Sequence, residues 1–262
     1  MAIITISRQY GSGADVLTEM LAEKTGFQTI TKEEIEDKLQ GFIGGFFAKK
    51  FTAEREPTFL DKYMYNMELW KGLLFEALLF FAKKGNVILV GRGGSEILKD
   101  TPGTLRLLVV GEKSERIDYV ANTENLTPMD AEEKIDEVDS EITRFCKYHF
   151  GMDWPDPAKY DITLNLHSAG IERCVEIISA TTTLLDLPTI FKKKSRKLLE
   201  LKYTEISATN RIIFSAGIDK NLFQVDVKDN RIRIKFEDVP PEQKKAAKET
   251  VSQFHKGYNV VL

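Results

Sequence analysis

Apolar residues follow two rhythms along this chain. Ile3-Ile4-Thr5-Ile6-Ser7 is a short β-rich run, and Val87-Ile88-Leu89-Val90 and Leu105 to Val110 are continuous apolar runs. Such runs mark strands buried on both faces of a parallel sheet. Asp161 to Leu166 reads as a further strand. Between them the spacing is helical: Val16, Leu17, Met20 and Leu21 up to Gly26, Glu68 to Lys84 before Gly85, Ser114 to Asn122, Asp130 to about Tyr148, and Ile171 to Ala180. Thr31-Lys32-Glu33-Glu34 has the form of a capping box opening another helix. Strands alternating with helices predict an α/β fold, with a parallel sheet of about five strands flanked by helices. Gly41 to Phe51 holds four phenylalanines, three glycines and two lysines without a clear period. It reads as a mobile apolar loop.

After Pro188 the pattern changes. Lys192 to Lys197 is a basic run, a linker or a helix start. Phe223 to Val227 and Ile232 to Phe236 alternate strictly, and Lys228 to Arg231 between them has turn chemistry. This predicts a β-hairpin with one wet face. Pro240-Pro241 opens a helix to about Phe254, and Tyr258 to Leu262 suits a last strand. The expected organisation is a domain over 1–189 and a small α+β domain over 190–262. Charge supports that division. Residues 1–189 carry 21 Lys+Arg against 31 Asp+Glu, and residues 190–262 carry 16 against 9, within a net charge of −3.

Composition narrows the class. A hydrophobic content of 42% is enough for a core, and 29% charged residues suit a soluble, ordered chain. The start reads as a strand rather than a signal peptide, and Leu69 to Ala82 is too short and too interrupted to span a bilayer. Cys146 and Cys174 lie far apart with no C-x-x-C spacing. A reducing, cytoplasmic setting follows more simply than a disulfide framework. His149 and His167 lack a carboxylate or cysteine at ligand spacing, so no metal site is expected from them.

Candidate chemistry centres on Ser7 to Val16. Strand, glycine turn and helix start can cradle a phosphate with bare N–H groups and the helix dipole. A full phosphate loop reads G-x-x-x-x-G-K-[ST]. Here Arg8 stands at the first glycine, Gly13 at the second, Ala14 at the lysine, and Val16 or Asp15 at the hydroxyl. A cation is lost and an anion gained.

The string Ile4-Thr5-Ile6-Ser7-Arg8-Gln9-Tyr10-Gly11-Ser12-Gly13 resembles the start of the cytidylate kinase-like family. So do Gly85 to Gly93, the lid-like set Arg144, Tyr148, Gly151, Trp154, Asp156-Pro157 and Tyr160-Asp161 ending at Asn165, and Gly170-Ile171-Glu172. The likeness runs in order over about residues 3–180. It implies a P-loop kinase fold transferring the ATP γ-phosphate to a nucleoside monophosphate such as CMP, with Mg²⁺. Carried over residue by residue, it implies donor-phosphate binding by Gly11, Ser12 and Gly13, with Arg8 adding positive charge. Arg92 would clamp the acceptor phosphate, Arg144 and Lys147 would close from the lid, and Arg116 would hold the lid or face the base. Trp154 is expected to pack the lid. The family's aspartate before the second helix has no match in Thr29-Ile30-Thr31-Lys32-Glu33.

Phe223 to Leu262 faintly resembles a BON domain, which implies an anionic surface or large ligand as partner. Self-association is the other expectation for this part. For the whole chain two readings stand: a nucleotide kinase with a degenerate phosphate loop, or a non-catalytic nucleotide-binding scaffold on the kinase fold.

Overall fold

In the computed structural model, the described residues are 2–43, 67–184 and 189–262. Five strands form one parallel sheet: β1 (Ile3–Arg8), β2 (Gln28–Ile30), β3 (Val87–Val90), β4 (Thr104–Val110) and β5 (Ile162–Asn165). Their order is β2-β3-β1-β4-β5. β1 is central, pairing Ile3 with Val87 and Ile6 with Val90 on one side, and Ile6 with Leu107 on the other.

Alternation along these strands feeds two cores. Ile3, Val87, Leu89 and Leu108 face one side, where α2 (Lys32–Ile43), α3 (Met67–Ala82) and α6 (Pro128–Phe150) cover them. Ile4, Ile6, Ile88, Leu107 and Val109 face the other, under α1 (Ala14–Thr25) and α8 (Ile171–Leu184). Apolar side chains on both faces explain why the strands read as unbroken hydrophobic runs. Shorter pieces complete the layers: α4 (Gly94–Ile97), α5 (Lys113–Glu124) and α7 (Leu166–Ala169).

Several expected devices are present. Thr31 N–H donates to Glu34 Oε2 at 2.9 Å and Glu34 N–H to Thr31 Oγ1 at 3.2 Å, a reciprocal capping box. Trp154 is buried and donates through Nε1 to Thr143 Oγ1 at 2.8 Å. Other details differ. Val16 is exposed on α1, whose buried positions are Ala14, Leu17, Thr18 and Leu21. The apolar loop expected from Gly41 to Phe51 begins inside α2, and the remainder lies outside the described residues, as does Pro188.

The basic run is part of α9 (Thr189–Ala216), a 28-residue helix about 42 Å long. Ser195 within it is buried and donates its hydroxyl to the Pro102 carbonyl. Leu199, Tyr203 and Ile206 pack into the core of the large sheet. Further along, Ala208, Ile212 and Ile213 join a separate core beneath β6 (Phe223–Lys228), β7 (Arg231–Phe236), β8 (Asn259–Val261) and α10 (Pro241–Phe254). β6 and β7 form the expected hairpin, with Asp229 and Asn230 both at positive φ, as a two-residue primed turn requires. The small sheet is therefore fastened to the large one through a shared helix.

The fastening is polar as well as apolar. Glu76 on α3 is buried, and Arg211 Nη2 and Asn210 Nδ2 on α9 donate to it at 3.0 and 2.8 Å. Gly72, one turn earlier on α3, has no room for a Cβ because Asn210 Oδ1 occupies that space. Among the described residues no helix is long and apolar enough to cross a membrane.

Candidate active site

The C-terminal ends of β1 and β3 lie side by side and carry the two glycine turns. After β1, Gln9 N–H donates to the Val109 carbonyl at 3.0 Å, and Gln9 Oε1 accepts from Gly111 N–H at 3.1 Å. Gly11 and Gly13 then take φ of +75° and +78°, which a residue with a Cβ adopts only under strain. Gly11 has no alternative, because a Cβ there would stand 2.7 Å from Val120 Cγ2 and 3.0 Å from the Arg116 carbonyl. Gly13 caps α1 without any side-chain hydrogen bond. The first-turn N–H groups of Ala14, Asp15 and Val16 therefore keep their capacity to meet an anion. Ser12 is 1% exposed, and among the described residues its Oγ has no hydrogen-bond partner.

The loop is clasped from below. Arg116 on α5, 6% exposed, donates through Nη1 to the Tyr10 carbonyl at 3.0 Å and to Asp139 Oδ2 at 2.6 Å. Asp139 Oδ1 in turn accepts from Tyr10 N–H at 2.9 Å. The guanidinium thus holds α6 to the loop. Tyr10 also donates its hydroxyl to Glu124, which pairs with Lys134.

Asp15, where a full loop has its hydroxyl residue, receives the Tyr119 hydroxyl at 3.0 and 3.1 Å. Burial and then the Asp15 charge push the Tyr119 phenol up to about 12. Ala14, where the lysine would stand, is buried in the core under α1. Arg8 is half-buried at the end of β1, in register with Val109.

The second turn follows β3. Gly91, Arg92 and Gly93 take φ of +70°, +53° and +74° in succession, and a non-glycine in that region carries strain. Gly91 N–H donates to the Ile6 carbonyl at 2.9 Å, and Ser7 and Ser95 hydroxyls lie 3.3 Å apart, so the two turns are tied together. A Cβ on Gly93 would fall inside the Phe150 ring. Arg92 Nη1 donates to the Val90 carbonyl at 3.2 Å. Hydrogen bonds from its own backbone and from Thr31 hold the Glu33 carboxyl low, and the charges of Lys32 and Arg92 add to this. Arg92 thus reaches electrostatically to the start of α2.

Of the residues singled out by sequence, Arg8, Gly11, Ser12 and Gly13 lie at and after the end of β1, Arg92 lies in the turn after the adjoining β3, and Arg116 reaches the first turn from α5. Arg144 and Lys147 are both exposed on α6, whose buried positions include Ile135, Ile142 and Cys146. Arg144 Nη1 donates to Ser140 Oγ at 2.6 Å, and Lys147 lines a cleft with α3 and α9. Asp139 and Tyr119 are the site residues the sequence did not disclose. Asp139 carried one signal, a carboxylate on the apolar stripe of its helix. Among the described residues, no group of three or more His, Cys, Asp or Glu side chains is placed to hold a metal ion.

No curated protein matches the sequence significantly. Among solved structures, an uncharacterized protein from Eubacterium ventriosum ATCC 27560 is 20% identical, with a TM-score of 0.54 over 70% of this chain and 99% of that one. A shikimate kinase from Bacteroides thetaiotaomicron is 14% identical, with a TM-score of 0.44 over 71% and 99%. The sequence itself matches the cytidylate kinase-like family from residue 3 to residue 168. With the parallel sheet and its glycine turn in place over that stretch, the chain belongs to the cytidylate kinase-like family.

Proposed function

We propose that the protein binds a nucleoside triphosphate at Gly11–Gly13 and transfers its γ-phosphate, slowly, to a nucleoside monophosphate such as CMP. The observation that carries this is the uncapped start of α1 behind two left-handed glycines, beside a second turn bearing Arg92. The N–H groups of Gly13, Ala14 and Asp15 suit the donor phosphates, with Ser12 Oγ as a further polar contact. Arg92, on the neighbouring strand end, suits the acceptor phosphate. Bound Mg²⁺ would neutralise charge on the donor phosphates, held mainly by those phosphates and water rather than by a protein cage.

Slow turnover follows from the charges. Such transfer depends on neutralising the γ-phosphate as it moves. Ala14 supplies nothing, Asp15 adds an anion at the helix start, and Arg116 is committed to Asp139. That commitment also favours a second reading, nucleotide binding without turnover.

A thermal-shift series with ATP and CMP, with and without Mg²⁺, followed by an assay for ADP, separates the two. A ligand at 100 times its Kd stabilises by about 2.7 kcal/mol, well within detection. Stabilisation with CMP-dependent ADP release supports the kinase, and stabilisation without it supports the binding protein. No shift with any nucleotide overturns both.

A further inference from the structure

A cleft of about 690 Å³ opens between α3, α4, the end of α6 and α9. That volume is in the range of small-molecule sites. None of Gly11–Gly13, Arg92 or Arg116 lines it. Its apolar wall includes Phe75 and Phe150, stacked 5.5 Å apart and within 3° of parallel. Three lysines from three helices also line it: Lys71 on α3, Lys147 on α6 and Lys202 on α9. Among the described residues none of the three pairs with a carboxylate. Two acids share the lining, but Glu96 is already paired with Lys99, leaving Glu205 alone against three ammonium groups.

Like charges gathered on one cavity repel, and an anion entering among them relieves that repulsion. A flat apolar group gains in turn from a stacked aromatic wall. We propose that this cleft is a second anion site, taking a small phosphorylated ligand with a flat ring. The ring lies against Phe75 and Phe150, and the phosphate lies among Lys71, Lys147 and Lys202. The site requires α9, so it needs the part of the chain beyond the family match. It also adjoins the first site, since Phe150 fills the space beside Gly93. An occupant pressing on Phe150 is therefore felt at the turn that carries Arg92.

The test is calorimetric titration of the full chain with phenyl phosphate, and with inorganic phosphate as comparator. Phenyl phosphate should bind the more tightly. Lys71→Gln and Lys202→Gln should each weaken it about tenfold, the scale of one charge-assisted hydrogen bond, with unchanged melting. Arg92→Ala should leave the affinity in place. Equal affinity for the two phosphates, or no binding of either, overturns the proposal. So does a loss with Arg92→Ala but not with Lys202→Gln, which would put the anion at the strand ends.

Discussion

Arg116 and Asp139 hold the backbone of Tyr10 between them: the guanidinium donates to its carbonyl at 3.0 Å and the carboxylate accepts from its N–H at 2.9 Å, while the two side chains meet at 2.6 Å. The phosphate loop therefore owes its position to two helices that come more than a hundred residues later. Asp139→Ala would leave the buried Arg116 cation without its counter-charge and the Tyr10 N–H without its acceptor. It should cost about 3–5 kcal/mol, read as a lowered denaturation midpoint at unchanged slope. Asp139→Asn, which keeps an acceptor for Tyr10, should cost less.

Gly93→Ala tests the second turn. The new methyl must displace the Phe150 ring and sit at φ +74°. A loss of about 2 kcal/mol or more is expected. Pairing it with Phe150→Leu should recover part of that loss if the ring is the obstacle.

Tyr119 offers a pH test. Its phenol is raised to about 12 by burial and by Asp15, so the folded state binds the proton more tightly than the unfolded state. The resulting stability is fully present below the ordinary tyrosine range of about 10, and it is lost as pH rises through about 12. Absorbance of tyrosinate should show a late phase that disappears in Tyr119→Phe and moves to lower pH in Asp15→Asn.

Asp15→Asn also addresses the nucleotide site. It removes an anion from the start of α1 while keeping a polar side chain near Tyr119. ATP binding should tighten several-fold, measured by titration, whether or not turnover improves. Ala14→Lys is a poorer probe, because Ala14 is buried in the core and a lysine stem must first find a way out.

The link between the two sheets can be weighed separately. Gly72→Ala would thrust a methyl into Asn210 Oδ1 beside the Glu76–Arg211 pair. Overpacking of that kind costs about 1–3 kcal/mol, and Glu76→Gln should cost more by weakening the partner of a buried guanidinium. Both losses should appear in the melting of the whole chain.

The large sheet was legible because its strands are apolar on both faces and its turns are marked by glycine, as at Val87 to Gly94. β2 escaped notice, since three residues at a sheet edge leave no period to read. α9 escaped as well beyond its basic start. Its buried positions serve two different cores, and Asn210 and Arg211 interrupt the apolar stripe because Glu76 waits opposite. The glycines of the site were visible for the same reason that they are needed, as positions where a side chain cannot go. Arg116 was expected either to hold the lid or to face the base, but its partner Asp139 could not be picked out of the run of acids on α6. Arg144 and Lys147 rest on the motif alone; helix periodicity turns Arg144 away from Asp139 but leaves Lys147 on its flank.

α9 also imposes a schedule on biosynthesis. Glu76 and Arg211 are 135 residues apart, so at 5–20 residues per second a ribosome needs roughly 7 to 27 s to supply the second after the first. Throughout that interval α3 has been made, while the helix that covers its outer side and neutralises its acid has not. Until the last quarter of the protein arrives, the face of α3 that carries Gly72 and Glu76 has no α9 to cover it.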